Sequence, residues 1–342
     1  MGTLCYWEEV LKILYCGWGG AGTTWTSLYG ESLVYYMRQM GHEVKPIYYR
    51  PWIKDHPERN FDLMLIAEAD EMKPDFILLL KCEVIDPATI KELKNRGHKV
   101  VYYSCDDPQL FLRSQKSREI ALSANIALTW CEDTLLEYRK RGIPAAIIYA
   151  GYDPRIWDYS VIVEEQEKKR YGADVIFLGS PYYGSPVNRT DMVQVVINAG
   201  FYFKLFGPKE WLNVRELEAY YFGYLDVVKQ ESTKAIKCAK AVLNCAWSRG
   251  TKTPSIRMFE VVGLGQVCVS YLNPGMNTVL PEGKGVVYWS TYPELIAKLK
   301  KVISDEAYRK QVEKDGREYV LANFTTEIQT KKMLDFISPL LK

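Results

Sequence analysis

Two series of short apolar runs, alternating with longer amphipathic segments, constrain the fold of this chain more than any other feature. The runs are rich in β-branched and aromatic residues and are too continuously apolar to leave one face in water. Strands that are buried on both faces are typical of parallel sheets covered by helices. The sequence therefore predicts an α/β protein in which helices fill the gaps between successive strands.

The predicted strands fall into two groups along the chain. The first group lies at residues 12–16, 43–49, 75–80, 99–104, 126–130 and 145–150. The second group lies at residues 174–179, 202–207, 241–245, 266–270 and 285–290. From Thr291 onward the pattern predicts helices only. We therefore expect two doubly wound, Rossmann-like domains that face each other across a cleft, with ligands at the carboxyl ends of the strands.

The boundary between the two domains is predicted from a break in the alternation. Residues 151–172 contain a proline, scattered aromatic residues and a charged run, and we interpret them as the interdomain connection. This interpretation places the first domain at residues 1–165 and the second at 166–324, with a C-terminal helical segment at 325–342.

Charge and composition exclude several classes of protein. The chain has 342 residues, with 44 Lys and Arg against 42 Asp and Glu, and this balance excludes the broad basic surface of a sequence-independent nucleic-acid binder. Its eight cysteines form no CxxC pair and it has three histidines, so we expect neither a disulfide framework nor a metal site. No apolar run approaches the roughly 20 residues of a membrane span. We therefore expect a cytoplasmic protein without an integral membrane segment.

A glycine-rich loop follows the first predicted strand. Gly17, Gly19 and Gly22 satisfy the pattern GxGxxG, and backbone amides at the start of the next helix suit a phosphate. The second strand runs into Arg50, where an NAD site needs an acidic residue, so the loop would at best suit the 2′-phosphate of NADP. The alternative is that these glycines serve only a tight turn between strand and helix.

Two adjacent carboxylates follow the fourth predicted strand. Asp106 and Asp107 are candidates for a catalytic base or for an anchor of a polar acceptor. The alternative is structural, because Asp107 precedes Pro108 and is suited to cap the next helix.

The first strand of the second group ends at Gly179 and Ser180, and Arg189 stands at the start of the helix that follows. An arginine beside a helix N-terminus is suited to a diphosphate. The alternative is an arginine that is simply solvated on the helix surface.

The most informative segment follows the third strand of the second group. A helix that begins here places Ser255 and Arg257 in its first turn and Glu260 three residues after Arg257. Arginine can bind a phosphate, and glutamate can accept hydrogen bonds from two ribose hydroxyls. Arg249 and Lys252, just upstream, are further cationic candidates. The alternative, a surface ion pair, is weakened by the apolar residues that flank the pair.

These motifs together resemble the CgeB-like, spore-maturation type of glycosyltransferase, which belongs to the GT-B superfamily. The pattern R-x-F-E-x-x-x-x-G of that family matches Arg257, Glu260 and Gly265. Looser matches occur in the first domain, in the glycine loop and in the segments YYSCDDP and GYDPRIW. The resemblance implies a GT-B fold, with the acceptor on the first domain and a C-terminal helix that crosses back to it.

The resemblance also implies roles for individual residues. Glu260 corresponds to the glutamate that holds the donor ribose. Arg257, Arg189 and the turn at Gly179 are implied to face the donor diphosphate, and Gly19 and Gly20 are implied to approach it from the first domain. The other donor-binding candidates are Ser180 and Ser255, with Arg249 and Lys252 as further cations. Larger relatives carry a second glutamate eight residues before the ribose-binding one, where this chain has Lys252, so the anomeric outcome stays open.

The resemblance implies a metal-independent glycosyltransferase of hexosyltransferase type. Its donor is expected to be a nucleotide-diphospho-sugar, with UDP favoured, and no cofactor is expected. The resemblance does not identify the acceptor, which is a carbohydrate, a protein or a small molecule. If the reaction inverts the anomeric configuration, the expected base is Asp106 or Asp107. Two alternatives remain, namely an NADP-linked oxidoreductase that uses the glycine loop and a non-catalytic protein that binds nucleotide sugars.

Aromatic residues with a polar tip are unusually common, with 25 Tyr and 9 Trp against 11 Phe. Several fall in or beside the strand-end loops, where a ring can stack on a base or a sugar. The rings considered for this role are Trp18, Trp25, Tyr102, Tyr103, Tyr149, Tyr152, Tyr182, Tyr183 and Trp247. The alternative, for about half of them, is a place in the core, where Tyr and Trp are usually buried.

Overall fold

The computed structural model describes residues 9–20, 25–104, 115–181, 187–245 and 254–342. The chain divides into two compact units. The first unit contains Met1–Ala150 together with Thr326–Lys342, and the second contains Gly151–Thr325.

In the described part of the first unit, six parallel strands form one sheet in the order β2-β1-β3-β4-β5-β6. The strands are β1 (Lys12–Gly17), β2 (Glu43–Tyr48), β3 (Phe76–Leu80), β4 (Val100–Ser104), β5 (Ile126–Thr129) and β6 (Ala145–Ile147). The helices between them are α1 (Trp25–Gln39), α2 (Tyr49–Asp55), α3 (Phe61–Met72), α4 (Pro87–Asn95), α5 (Gln115–Ser123) and α6 (Glu132–Lys140).

The sequence of the first unit explains these elements locally. Every residue of β3 and β4 is buried, as expected for strands covered by helices on both faces. Helix α3 begins where the Asn60 side chain accepts the Leu63 N–H at 3.1 Å. Helix α4 begins in the same way, where the Asp86 carboxylate accepts the Ala88 N–H at 2.8 Å and Pro87 occupies the first helical position.

In the described part of the second unit, five parallel strands form one sheet in the order β11-β10-β9-β7-β8. The strands are β7 (Ala173–Leu178), β8 (Phe203–Phe206), β9 (Ala239–Asn244), β10 (Cys268–Tyr271) and β11 (Val286–Trp289). The helices are α7 (Glu165–Tyr171), α8 (Arg189–Asn198), α9 (Glu231–Lys237), α10 (Ile256–Gly263), α11 (Met276–Val279), α12 (Tyr292–Ser304) and α13 (Glu306–Asn323), with 3₁₀ turns at Lys209–Asn213 and Arg215–Tyr220.

The last long helix, α14 (Thr326–Ile337), belongs to the first unit, where it packs against α1. The Thr326 hydroxyl donates to the Ala150 carbonyl at 2.9 Å, and the Gln329 side chain accepts the Tyr149 N–H at 3.0 Å. The C-terminal helix therefore returns to the first unit, as the resemblance implied. Within the described ranges, no helix is both long enough and apolar enough to cross a bilayer.

The expected fold class is confirmed, because each predicted strand is present and both sheets are parallel. The division between the units differs from the predicted one, since it follows Ala150 and not residue 165. Tyr152 accounts for the difference, because its N–H donates to the Phe324 carbonyl at 2.7 Å within the second unit. The Tyr152 ring also lies so close to Gly263 that a Cβ atom there would come within 2.2 Å of it.

Both sheets have a topological switch point, where the strand order changes direction. In the first unit this point lies between β1 and β3, and in the second it lies between β7 and β9. In doubly wound sheets the loops on either side of the switch point diverge and leave a crevice at the carboxyl ends of the strands, where ligands bind. The topology therefore points to one crevice in each unit.

Helix α13 passes unusually close to the turn before β11. A Cβ atom built on Gly316, in the middle of α13, would lie 2.3 Å from the Gly285 Cα. The turn cannot accept a side chain easily either, because Gly285 has a φ of +75°. The contact between α13 and this turn is therefore made by two backbones without side chains.

We predict that Gly316→Ala destabilises the protein by about 2 kcal/mol, because the added methyl group overpacks this contact. The sign is diagnostic, since alanine in an uncrowded helix stabilises by up to about 1 kcal/mol relative to glycine. Urea unfolding followed by circular dichroism measures the change. Lys314→Ala, at an exposed position of the same helix, is the control and should change stability by less than about 0.5 kcal/mol. A stabilised Gly316→Ala variant would contradict the contact.

Candidate functional site

The candidate site in the second unit is built around the start of α10. Ser255 is the N-cap residue, and its hydroxyl accepts the Arg257 N–H at 3.2 Å. The helix is then buried from Met258 to Gly263, which fixes it firmly in the unit. Ser255 therefore acts as a helix cap, a role that is compatible with a place beside a ligand.

Arg257 and Glu260 form an ion pair on one side of α10. Arg257 Nη1 lies 2.6 Å from Glu260 Oε2, and their side chains are 23% and 1% exposed. The Arg257 guanidinium also lies over the Trp157 ring, with Cζ 5.4 Å from the ring centroid. The pair is therefore not the surface pair of the alternative interpretation. The Glu260 carboxylate is buried, and the Arg257 side chain keeps some contact with solvent.

Arg189 lies at the switch point of the second sheet. Its Nη1 donates to the Ser180 carbonyl at 2.9 Å, and its Nη2 donates to the Cys245 carbonyl at 3.1 Å. Ser180 follows β7 and Cys245 follows β9, so this one side chain joins the loops on the two sides of the crevice. The guanidinium also lies 5.8 Å from the Phe177 ring centroid. Arg189 is therefore not a solvated surface residue, and it keeps a positive charge at the strand ends.

The turn at Gly179 is fixed by backbone contacts. The Gly179 N–H donates to the Phe206 carbonyl at 3.1 Å, and the Gly179 carbonyl accepts from the Trp211 indole at 2.7 Å. Gly207 makes this approach possible, because a Cβ atom there would lie 2.1 Å from the Gly179 oxygen. These contacts therefore fix the turn at Gly179, which follows β7.

The glycine loop of the first unit has a different environment. Gly19 and Gly20 have φ values of +146° and +75°, and a Cβ atom on Gly19 would lie 2.1 Å from the Tyr48 ring. The Gly20 N–H donates to the Glu31 carboxylate at 2.9 Å. A carboxylate thus occupies the place where a bound phosphate would accept this N–H. Glu31 is a feature that the GxGxxG pattern did not predict.

Four of the nine aromatic rings considered for ligand stacking are buried. Trp18 is 6% exposed, Tyr102 is 2% exposed, and Tyr103 and Tyr152 are fully buried. These four rings pack in the core beside the strand ends, which is the alternative that the sequence leaves open for about half of the set. Tyr149 is half-buried. The Trp25 side chain, Tyr182, Tyr183 and Trp247 lie outside the described residues.

Four further predicted site residues lie outside the described residues. They are the proposed bases Asp106 and Asp107 and the two cations Arg249 and Lys252. Among the residues that the structure does describe, no group of three or more His, Cys, Asp and Glu side chains has an arrangement that could hold a metal ion.

Trp157 is a site residue that the motif analysis did not identify. Its carbonyl accepts the Tyr152 hydroxyl at 2.5 Å, and its N–H donates to the Asp153 carbonyl at 2.9 Å. The indole is 3% exposed and supports the Arg257 guanidinium. The segment GYDPRIW contains the signal for this role, but only the tertiary structure brings it next to α10.

Comparisons with known proteins point to glycosyltransferases. Residues 168–335 match the family described as "Glycosyl transferase-like". A glycosyltransferase from Rickettsia africae is similar in structure, with a TM-score of 0.69, 13% identity, and 98% of this chain and 99% of that chain covered. Anabaena HepE in complex with UDP and glucose has a TM-score of 0.66 at 12% identity, with 96% and 100% covered.

An α-glucosyltransferase in complex with UDP and a 13-mer DNA has a TM-score of 0.66 at 12% identity, with 96% of this chain and 100% of that chain covered. No curated protein sequence matches significantly. The chain therefore has the fold of GT-B glycosyltransferases, and its second unit is similar to a glycosyltransferase family. The resemblance to the spore-maturation type stays a prediction.

We predict that Arg257→Met destabilises the protein by about 3 kcal/mol, because it leaves the Glu260 carboxylate buried without its guanidinium. The double variant Arg257→Met/Glu260→Gln should recover at least half of this loss, since the buried charge is then removed as well. Urea unfolding of the two single variants and the double variant completes the cycle. Purely additive effects would contradict a direct interaction between the two side chains.

Proposed function

We propose that this protein is a glycosyltransferase that moves a sugar, of hexose type, from a UDP-sugar to an acceptor. The observation that carries the proposal is the buried Glu260 carboxylate, held by Arg257 at the start of the helix that leads away from the second switch point. Support comes from the family match over residues 168–335 and from structural neighbours that contain UDP.

In this proposal Glu260 binds the ribose of the donor. An ionised carboxylate has two oxygens and accepts hydrogen bonds only, so it pairs naturally with two adjacent hydroxyl donors. Burial strengthens such bonds, because water does not compete for the carboxylate. Arg257 forms an ion pair with this carboxylate and supports it at the start of α10.

Cationic side chains take the role of stabilising the leaving diphosphate. Arg189 holds its charge between the ends of β7 and β9, and the partly exposed side chain of Arg257 lies in the first turn of α10. Fixed positive charges next to developing negative charge lower the barrier to its departure. We propose on this basis that transfer needs no divalent metal. Arg249, Lys252 and the bases Asp106 and Asp107 remain predictions from the sequence.

The first unit is proposed to bind the acceptor and not a dinucleotide. The Glu31 carboxylate at the Gly20 N–H would repel a pyrophosphate placed on the glycine loop. This contact makes an NADP-linked oxidoreductase a poorer fit to the structure than a transferase. We also propose that the protein acts in the cytoplasm on a carbohydrate, protein or small-molecule acceptor and not on nucleic acid, given its net charge of +2.

We predict that wild-type protein binds UDP and that Glu260→Gln weakens this binding by about 10-fold to 100-fold. Loss of charged hydrogen bonds to a ribose corresponds to about 1.5–3 kcal/mol. Isothermal titration calorimetry with UDP measures the change, and Glu306→Gln, an exposed carboxylate of the same unit with 75% side-chain exposure, is the matched control.

Measurements of binding and of UDP release together distinguish the rival functions. Equal UDP affinity of wild type and Glu260→Gln would contradict the proposed role of Glu260. Binding of NADPH without binding of UDP would favour the oxidoreductase. Binding of UDP-sugars without release of UDP, across a panel of acceptors, would identify a non-catalytic binding protein.

Removal of metal ions tests the second part of the proposal. We predict that excess EDTA leaves the UDP affinity and the release of UDP from UDP-glucose within about twofold of their untreated values, because side chains neutralise the diphosphate. Loss of activity on chelation, restored by Mg²⁺ or Mn²⁺, would show that a metal performs this role instead.

A further inference from the structure

A cavity lies at the amino-terminal ends of the strands of the second sheet, away from the candidate donor site. Lys237 ends α9 just before β9, and Gly265 and Gln266 join α10 to β10; all three line the cavity. Arg257 and Glu260 lie instead at the start of α10, on the carboxyl-terminal side of the sheet. The cavity has a volume of about 530 Å³, which is within the range of small-molecule sites. It is therefore a separate candidate for ligand binding.

One face of α13 supplies most of the positive charge of this cavity. Lys310, Lys314 and Arg317 all line it, and each is three or four residues from the next. Side chains at this spacing on a helix are neighbours, about 5–6 Å apart at their Cβ atoms. Lys314, in the middle, can therefore reach one anionic group together with either of the other two.

These like charges are only partly compensated within the helix. Like charges one turn apart destabilise a helix. Lys310 has a partner, because its Nζ lies 3.0 Å from the Glu313 carboxylate. Lys314 is exposed, and within the described ranges no carboxylate oxygen lies within 4.0 Å of its Nζ. An anion bound beside Lys314 would therefore relieve the repulsion along this face.

Two of the cations are fixed before a ligand arrives. Lys237 Nζ donates to the Tyr159 carbonyl at 2.6 Å and to the Val161 carbonyl at 2.5 Å, and it lies 5.2 Å from the Tyr159 ring centroid. Arg317 Cζ lies 3.7 Å from the same centroid, and its guanidinium donates to the Gly263 carbonyl. An ammonium has three N–H donors and a guanidinium has five. The named contacts therefore use only part of the donor capacity of these two groups.

Gly265 leaves room for this arrangement. It is the last residue of the pattern R-x-F-E-x-x-x-x-G and has a φ of +71°. A Cβ atom there would lie 3.3 Å from the Tyr159 ring and 3.4 Å from Arg317 Cδ. The proposed donor site does not use this glycine, because it follows the far end of α10. Its place in the pattern is therefore better explained by the wall of the cavity.

We propose that this cavity binds a phosphate monoester. The inference does not depend on the proposed function. Four cations line the cavity against two carboxylates, those of Glu313 and Glu318, so its charge attracts an anion. A lysine ammonium provides a compact positive charge for phosphate, and an arginine guanidinium can donate two parallel hydrogen bonds to it. Leu264 and Leu321 also line the cavity and offer apolar surface to the rest of the ligand.

The test compares two ligands that differ only in a phosphate group. Titration calorimetry of the full chain, saturated with UDP so that the donor site is filled, uses glycerol 3-phosphate and glycerol, with inorganic phosphate as a minimal probe. We expect both phosphates to bind and glycerol not to bind. Lys314→Met and Arg317→Gln should each weaken glycerol 3-phosphate binding at least about 10-fold, as loss of a charged hydrogen bond implies. Their UDP affinity should stay unchanged.

Matched controls remove a positive charge elsewhere in the second unit. Lys300→Met changes an exposed lysine of α12, and Arg215→Gln changes an exposed arginine. Both should bind glycerol 3-phosphate like wild type. Lys314 is exposed, so Lys314→Met keeps the test valid even if Arg317→Gln does not fold.

A second measurement distinguishes a free phosphate monoester from the headgroup of a lipid. Wild type and Lys314→Met are sedimented with phosphatidylcholine vesicles that contain or lack phosphatidic acid. Binding of wild type to the vesicles with phosphatidic acid, lost in Lys314→Met, identifies a lipid headgroup as the source of the phosphate. Binding of glycerol 3-phosphate without binding to vesicles identifies a soluble metabolite.

Several outcomes would overturn the inference. They are failure of wild type to bind either phosphate or the vesicles with phosphatidic acid, equal binding of glycerol and glycerol 3-phosphate, and unchanged phosphate binding in both variants. Displacement of the bound phosphate by UDP would place it in the donor site and would also contradict the inference. Failure of wild type to bind UDP would instead count against the proposed function, and the variants would still locate the phosphate.

Discussion

Most strands of both sheets are buried on both faces, and this burial decides where the chemistry of the protein can take place. Strands β3 and β4 contain no exposed residue, and the same holds for β11 in the second unit. Polar groups cannot be placed along such strands without large desolvation costs. The strand ends are therefore where charged side chains can be both fixed and accessible. The switch points concentrate them further, since the loops diverge there.

Cation–π contacts recur among the positively charged side chains of both units. Arg189 lies over Phe177, Arg257 over Trp157, and Lys81 over Trp18. An aromatic face attracts a cation without neutralising it, so the positive charge stays available to an anion. This arrangement gives a physical reason for the abundance of aromatic residues near the strand ends. These three rings each lie beside a charged side chain.

The sequence was sufficient to predict the architecture, because burial of strands leaves a pattern that is local in the chain. It was also sufficient to pair Arg257 with Glu260, since i and i+3 positions of a helix are neighbours. It could not predict the bridge that Arg189 forms between two carbonyls, nor the Glu31 contact with Gly20, because these partners are distant in sequence. The role of Trp157 was missed for the same reason. The domain boundary was misplaced because residues 151–157 look like a linker in composition but pack as part of the second unit.

The chain enters and leaves the second unit at one place. Tyr152 pairs with Thr325 where the unit begins and ends, while Ala150 accepts a hydrogen bond from Thr326 in the first unit. Gly151–Thr325 is thus a continuous piece of sequence inserted into the first unit. A gene that lacked this piece would need to rejoin only two residues that are already neighbours. The second unit can therefore be exchanged for another unit by recombination without rebuilding the sheet of the first unit.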